Sequence, residues 1–119
     1  MSRILIVDDD QSNSKIYATK LKAEGHEVVL CCNGELALEQ IKEKFDVILL
    51  DIMMPKVGGV EVLEEIKKGI NKKTVVIIYT NLLSEEVKKE CLEKGAAEFL
   101  LKADYTPLQL LEKVKGYLT

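Results

Sequence analysis

The chain of 119 residues has no tryptophan, one histidine and three cysteines. The lone histidine, His26, follows Gly25 in an apparent helix-to-strand turn and reads as a solvated loop residue. No Cys/His spacing suggests a zinc site. Cys31 and Cys32 are adjacent, which does not easily close a disulfide, and with Cys91 they form an odd set in apolar surroundings. Buried, reduced thiols of a cytoplasmic protein are expected. Basic charge is not in excess: 17 Lys and Arg face 20 Asp and Glu, for a net charge of −3. Direct nucleic-acid binding is therefore not expected. No apolar run approaches the length of a membrane span, and strand-like residues follow Met1-Ser2-Arg3 at once, without a signal-peptide pattern. Repeats, low-complexity segments and linkers are missing too, so residues 1–119 are expected to form a single domain. Its 47% hydrophobic and 31% charged residues suit one globular core.

Five short apolar runs are present, rich in β-branched residues: Ile4–Val7, Val28–Cys31, Val47–Leu50, Val75–Tyr79 and Glu98–Leu101. Such runs read as buried parallel strands. Helical patterns alternate with them. The first runs from about Ser12 to Glu24, with Tyr17 and Leu21 inward and Gly25 as the residue after the C-cap. The second follows Asn33 as N-cap, with Leu38 and Ile41 inward. The third carries Leu63, Ile66 and Ile70 at helical spacing, and the fourth runs from Ser84 to Gly95 with Glu85 and Glu86 in its first turn. The last opens on Thr106-Pro107-Leu108-Gln109, a capping box with proline at its first helical position, and presents Leu111, Val114 and Leu118 inward. Five strand–helix units in so short a chain imply an α/β fold, a doubly wound five-stranded parallel sheet with helices on both faces. The flavodoxin-like order 2-1-3-4-5 is expected, with its switch point between the first and third strands.

The strands end in chemistry. Asp8, Asp9 and Asp10 follow the first, Asp51 the third, Thr80 the fourth and Lys102 the fifth. In open α/β sheets ligands bind at these carboxyl ends. Crowded carboxylates repel and lose hydration, so a cation is expected among them, and hard oxygen ligands favour Mg2+ or Mn2+. A set of acids, a hydroxyl and an ammonium suits phosphoryl transfer, where positioning and charge neutralisation carry the catalysis. Asp51 can act as the nucleophile and form an aspartyl phosphate. Lys102 can neutralise one phosphate oxygen and Thr80 can donate a hydrogen bond to another. Taken singly, the acids read as caps and turn residues, Thr80 as a strand end and Lys102 as a solvated charge. Their combination carries the reading.

Over essentially its full length the chain resembles a response-regulator receiver domain of two-component signalling. The residues that carry the resemblance are Val7-Asp8-Asp9, Asp51-Ile52-Met53-Met54-Pro55, Thr80 and Lys102, with Gly58-Gly59 and Gly95-Ala96 in register. The resemblance implies that Asp51 is the phosphoacceptor and that Asp9 binds Mg2+ directly, with Asp8 nearby or acting through water. It makes the backbone carbonyl of Met53 a further ligand, Thr80 the switch hydroxyl, Phe99 the aromatic that moves with it, and Lys102 the phosphate-binding lysine. Asp10 stands where the family often has an acid and is secondary. Phe99 reads equally as a plain core aromatic, since it lacks the hydroxyl that gives an aromatic two distinct homes. The resemblance further implies a signalling switch that catalyses only its own phosphorylation and dephosphorylation. Its donor would be a sensor histidine kinase or phosphotransfer protein, and its readout a downstream protein target on the face of the fourth helix, fifth strand and fifth helix. A stand-alone regulator, monomeric or dimerising on phosphorylation, is expected.

Two positions depart from the family. Ala103 follows Lys102 where a proline in a cis peptide is usual; a cis bond before a non-proline costs about 2.5–4 kcal/mol, so a trans bond is expected. Asn81 follows Thr80 where a smaller residue is common, and its amide can restrict access to Asp51 or bond the phosphate. Competing classes fit less well. A Mg2+-dependent phosphohydrolase using Asp8-Asp9-Asp10 would leave Asp51-Ile52-Met53-Met54-Pro55 unexplained and has no room for a cap. A receiver-like scaffold that never takes phosphate would not need Asp9, Asp51, Thr80 and Lys102 together. Flavin binding lacks a glycine- and hydroxyl-rich phosphate loop after the first strand.

Overall fold

The computed structural model describes residues 1–54 and 56–118. Strand and helix alternate as β1 (Arg3–Val7), α1 (Gln11–Ala23), β2 (Glu27–Cys31), α2 (Gly34–Gln40), β3 (Val47–Leu50), α3 (Gly59–Lys68), β4 (Val75–Thr80), α4 (Glu85–Glu93), β5 (Glu98–Leu101) and α5 (Pro107–Lys115). A 3₁₀ turn, Lys102–Asp104, joins β5 to α5. The strands form one parallel sheet in the expected order β2-β1-β3-β4-β5.

Strand alternation sorts the core into two layers. Ile4, Ile6, Val47, Leu49, Ile77, Tyr79 and Leu100 face α1 and α5, meeting Tyr17, Leu21, Leu111 and Val114. Leu5, Val7, Ile48, Leu50, Val76 and Ile78 face the other way, against Ala37, Val62, Leu63, Ile66 and Cys91. All four residues of β3 are wholly buried. Fully burying each such side chain contributes about 1.5–3 kcal/mol relative to exposure, which is why the central strands read as unbroken apolar runs.

The caps follow the sequence closely. Asn33 accepts from the Leu36 amide at 2.8 Å, Ser84 from Val87 at 3.2 Å, and Thr106 and Gln109 complete their capping box. Gly25 and Gly95 take positive φ (92° and 104°) after α1 and α4, a conformation that costs other residues a clash at Cβ.

Some expectations change. The helix expected from Ser12 to Glu24 is shifted one residue toward the N-terminus, because the Asp10 side chain accepts from the Ser12 and Asn13 amides and takes the N-cap. Asp10 is thus a helix cap. Ile70 lies beyond α3, whose C-cap is Gly69, and is 57% exposed. Thr80 is the last residue of β4, one beyond the expected end. Leu38, Ile41 and Leu118 are only partly buried against the core. All three thiols are free; Cys31 and Cys91 are buried, but Cys32 stands past the end of β2 and is half-exposed. Burial pushes the Cys31 thiol up to about 11, which keeps it unreactive. His26 is half-buried, and its Nδ1 accepts the Ser2 amide at 3.1 Å. No described peptide bond is cis, so Lys102–Ala103 is trans as expected. Pro55 of the Asp51–Pro55 motif lies outside the described residues.

Candidate functional site

Register brings the acids together. Val7 pairs with Leu50, and the Asp51 amide donates to the Val7 carbonyl at 2.9 Å, so Asp8 and Asp51 leave neighbouring strands at one level. Leu50 pairs with Ile78, which puts Tyr79 at that same level on β4. Side chains alternate along a strand. Asp8 therefore continues the face of Ile4 and Ile6, Asp51 that of Val47 and Leu49, and Lys102 that of Leu100, all on the α1/α5 side where Tyr79 also points.

Asp8 is 1% exposed and Asp51 4%, while Asp9 is open to solvent. The Lys102 ammonium donates to Asp8 Oδ2 at 3.0 Å and to Asp51 Oδ2 at 2.9 Å. The Asp10 amide donates to Asp8 Oδ1 at 2.9 Å, and the Met53 amide to Asp51 Oδ1 at 3.0 Å. Asp8, Asp9 and Asp51 each offer a carboxylate oxygen, and these three atoms lie within 4.8 Å of one another. The site gathers three carboxylates and one ammonium, which meets Asp8 and Asp51, so the cluster keeps an unbalanced negative charge that a divalent cation can neutralise. Burial raises the Asp51 carboxyl above its usual range, with the charge of Asp8 adding to it; the Met53 amide and Lys102 pull the other way without cancelling the effect. Burial draws the Lys102 ammonium down, but its hydrogen bonds to Asp51 and Asp8 outweigh that, and it stays charged.

Close packing fixes the loop behind Asp51. Gly59 opens α3 so near that loop that a Cβ there would stand 2.4 Å from the Ile52 Cα and 2.5 Å from the Asp51 carbonyl oxygen. Only glycine lets the helix seat at that distance. Met53 meets Asp51 through its backbone and is 51% exposed. Thr80 is wholly buried, its Oγ1 accepting from the Leu82 amide at 3.2 Å. By alternation it shares the α3/α4 side with Ile78, and Phe99, partly buried, packs on that side. Phe99 also lines a cleft of about 200 Å³ with Leu83, Ser84, Lys88, Leu101 and Tyr105.

Tyr79 is the site residue that sequence reasoning missed. Its hydroxyl donates to Asp8 Oδ2 at 2.6 Å, and the Lys102 ammonium lies 4.8 Å from its ring centroid. The signal was present: Asp8, Asp51, Tyr79 and Lys102 share parity with their strands' α1/α5-facing residues. Without the register, that parity did not place Tyr79 beside an acid two strands away.

A family model described as the response regulator receiver domain matches residues 4–115. The transcriptional regulatory protein ZraR of Klebsiella oxytoca is 42% identical over 109 residues, covering 90% of this chain and 24% of that protein. The chain spans 24% to 51% of the length of the first curated relatives it matches. A CheY-like response regulator receiver domain protein of Methanospirillum hungatei JF-1 superposes with a TM-score of 0.90 at 34% identity, covering 98% of this chain and 92% of that one. The BeF3-activated DrrB receiver domain superposes with a TM-score of 0.87 at 35% identity, covering 99% and 97%. No helix among the described residues is long and apolar enough to cross a membrane.

Proposed function

Because the chain belongs to the response regulator receiver domain family, we propose that it is a phosphorylatable switch of a two-component phosphorelay, with Asp51 as the acceptor. The observation that carries this reading is the grouping of three carboxylates, two of them held by a lysine that reaches Asp51 at 2.9 Å. A carboxylate oxygen of Asp51 attacks the phosphorus of a phosphohistidine on a sensor kinase or phosphotransfer protein. The P–N bond breaks, and its electron pair stays on the imidazole nitrogen. The Lys102 ammonium passes from Asp8 and Asp51 to a phosphoryl oxygen, and the Thr80 hydroxyl donates to another.

The donor set is all oxygen and mostly anionic, which fits Mg2+. Asp9, Asp51 and the Met53 carbonyl would hold it, with Asp8 beside them. Bound there, Mg2+ neutralises charge on the phosphoryl oxygens. The protein is proposed to catalyse only its own phosphorylation and dephosphorylation. Its three free thiols suit the reducing cytoplasm. In the wild type, Mg2+ and a small acyl phosphate should add one phosphoryl group by intact mass. Asp9→Ala should weaken Mg2+ binding by about tenfold or more and slow that uptake, with the fold intact, because Asp9 is exposed. Calorimetry suits the measurement, since no tryptophan reports binding. An unchanged Mg2+ affinity would remove Asp9 from the metal site, and a wild type that takes up no phosphoryl group would sink the whole reading.

The proposed output is a change in the α4–β5–α5 face, offered to a downstream protein with the receiver as a monomer or a phosphorylation-dependent dimer. Drawing the Thr80 hydroxyl toward phosphate frees space beside β5 that Phe99, on the same side of the sheet, can fill. The cleft lined by Phe99, Leu83 and Tyr105 would change shape with it. Thr80→Ala should still be phosphorylated but should lose most of the amide NMR shifts that a phosphate mimic produces over residues 82–105. Equal shifts in wild type and variant would exclude Thr80 as the coupling residue.

A further inference from the structure

We infer that Tyr79 is a positioning residue of the acidic cluster: its hydroxyl occupies Asp8 Oδ2, restrains that carboxylate from binding a cation, and so sets the Mg2+ affinity of the site. The inference rests on the metal site of the functional reading. Tyr79 is wholly buried on β4, and Asp8 follows β1, with β3 between them. Two strand spacings are roughly 10 Å. A tyrosine is long enough to help bridge that gap over the short Asp51 side chain, and its hydroxyl ends 2.6 Å from Asp8 Oδ2. The ring is held edge-on by Tyr17 of α1, with centroids 5.9 Å apart and planes at 75°. The Lys102 ammonium lies over the ring, 4.8 Å from the centroid.

Asp8 Oδ2 then has two donors, Tyr79 and Lys102, and Oδ1 has the Asp10 amide. A carboxylate oxygen has two lone pairs, so Oδ2 is fully committed. Burial and the neighbouring Asp8 push the Tyr79 phenol far above its usual range, so it remains a donor throughout the physiological range. When Lys102 moves to a phosphoryl oxygen, Tyr79 still satisfies the buried Asp8. The hydroxyl thus keeps Asp8 oriented as a supporting group and leaves Asp9 and Asp51 as the principal cation-binding acids.

The test is the Mg2+ affinity of the metal-free protein, measured by calorimetry on Tyr79→Phe, Asp8→Asn and the double variant. Phenylalanine keeps the ring, its packing on Tyr17 and the face under Lys102. Tyr79→Phe should bind Mg2+ about threefold or more tightly than wild type, because a competing donor has left Oδ2. In the Asp8→Asn background the same change should have no effect, since the hydroxyl acts through the Asp8 charge. A merely structural tyrosine would weaken binding when cut back. Unchanged or weaker Mg2+ binding in Tyr79→Phe, or equal tightening with and without Asp8, overturns the inference while leaving the functional reading in place. A wild type that binds no Mg2+ overturns both.

Discussion

Asp51→Asn is expected to take up no phosphoryl group under conditions where the wild type takes up one. An amide oxygen lacks the charge that makes a carboxylate a nucleophile. The neighbouring acids do not replace it. Asp8 is buried beneath Tyr79, Lys102 and the Asp10 amide, and Asp9 is exposed without a lysine partner among the described contacts. A phosphorylated Asp51→Asn protein, by intact mass, would move the nucleophile elsewhere. The same substitution has a stability consequence with a definite sign. Burial holds the Asp51 pKa above its unfolded value, so the folded state binds this proton more tightly. The group then favours folding most at pH values below the unfolded pKa, and that contribution is lost as pH rises through the raised folded value. At neutral pH the ionised carboxylate is a cost, and Lys102 keeps Asp8 as a partner when it is removed. Asp51→Asn should therefore be more stable than wild type at neutral pH. The increment should shrink as the solution is acidified through the carboxylate range. Urea titrations of both proteins across that range check it, and a lower stability of the variant at neutral pH would contradict the sign.

Asn71→Ala is expected to produce the largest loss of stability from a polar side chain. Asn71 is 1% exposed in the connection between α3 and β4. Its Oδ1 accepts from the Phe45 amide at 2.9 Å, and its Nδ2 donates to the Ile41 and Glu43 carbonyls, both at 2.9 Å. It therefore satisfies three backbone groups of the loop that leads into β3, the strand that delivers Asp51. Alanine leaves those groups without their partner at a cost of about 1–3 kcal/mol for each one that stays dry, so ~3 kcal/mol in all is a fair expectation. For a domain of this size that loss lowers Tm by about 10 °C. Thermal and urea unfolding read it directly. A loss under ~1 kcal/mol would mean that water or loop movement replaces the side chain.

Much of the fold lies in local signals. The strand runs, the caps at Asn33, Ser84 and Thr106, and the glycines after α1 and α4 act within a few residues, so they are visible without a partner strand. Asp51, Lys102 and the acids after β1 stand out because a charge stops an apolar run, and the carboxyl end of a parallel sheet is where such charges converge. Other features depend on distant neighbours. Ile70 has the helical spacing of Leu63 and Ile66, but Gly69 ends α3 before it. Asp10 reads as a secondary acid beside Asp8 and Asp9, yet it caps α1, while Asp8 turns inward and Asp9 outward. Asn71 looks like an ordinary loop polar residue until the loop it ties down is in place.

The elements, their order and the residue types gathered at one edge of the sheet follow from the chain alone, because hydrophobic period and capping chemistry are short-range properties. Which oxygen faces which donor depends on how the strands pair. Pairing Val7 with Leu50 and Leu50 with Ile78 sets Asp8, Asp51 and Tyr79 on one level, and a slip of one residue in any strand would turn its side chains to the opposite face. The link from Tyr79 to Asp8 therefore spans 71 positions of chain and exists only once that register is fixed.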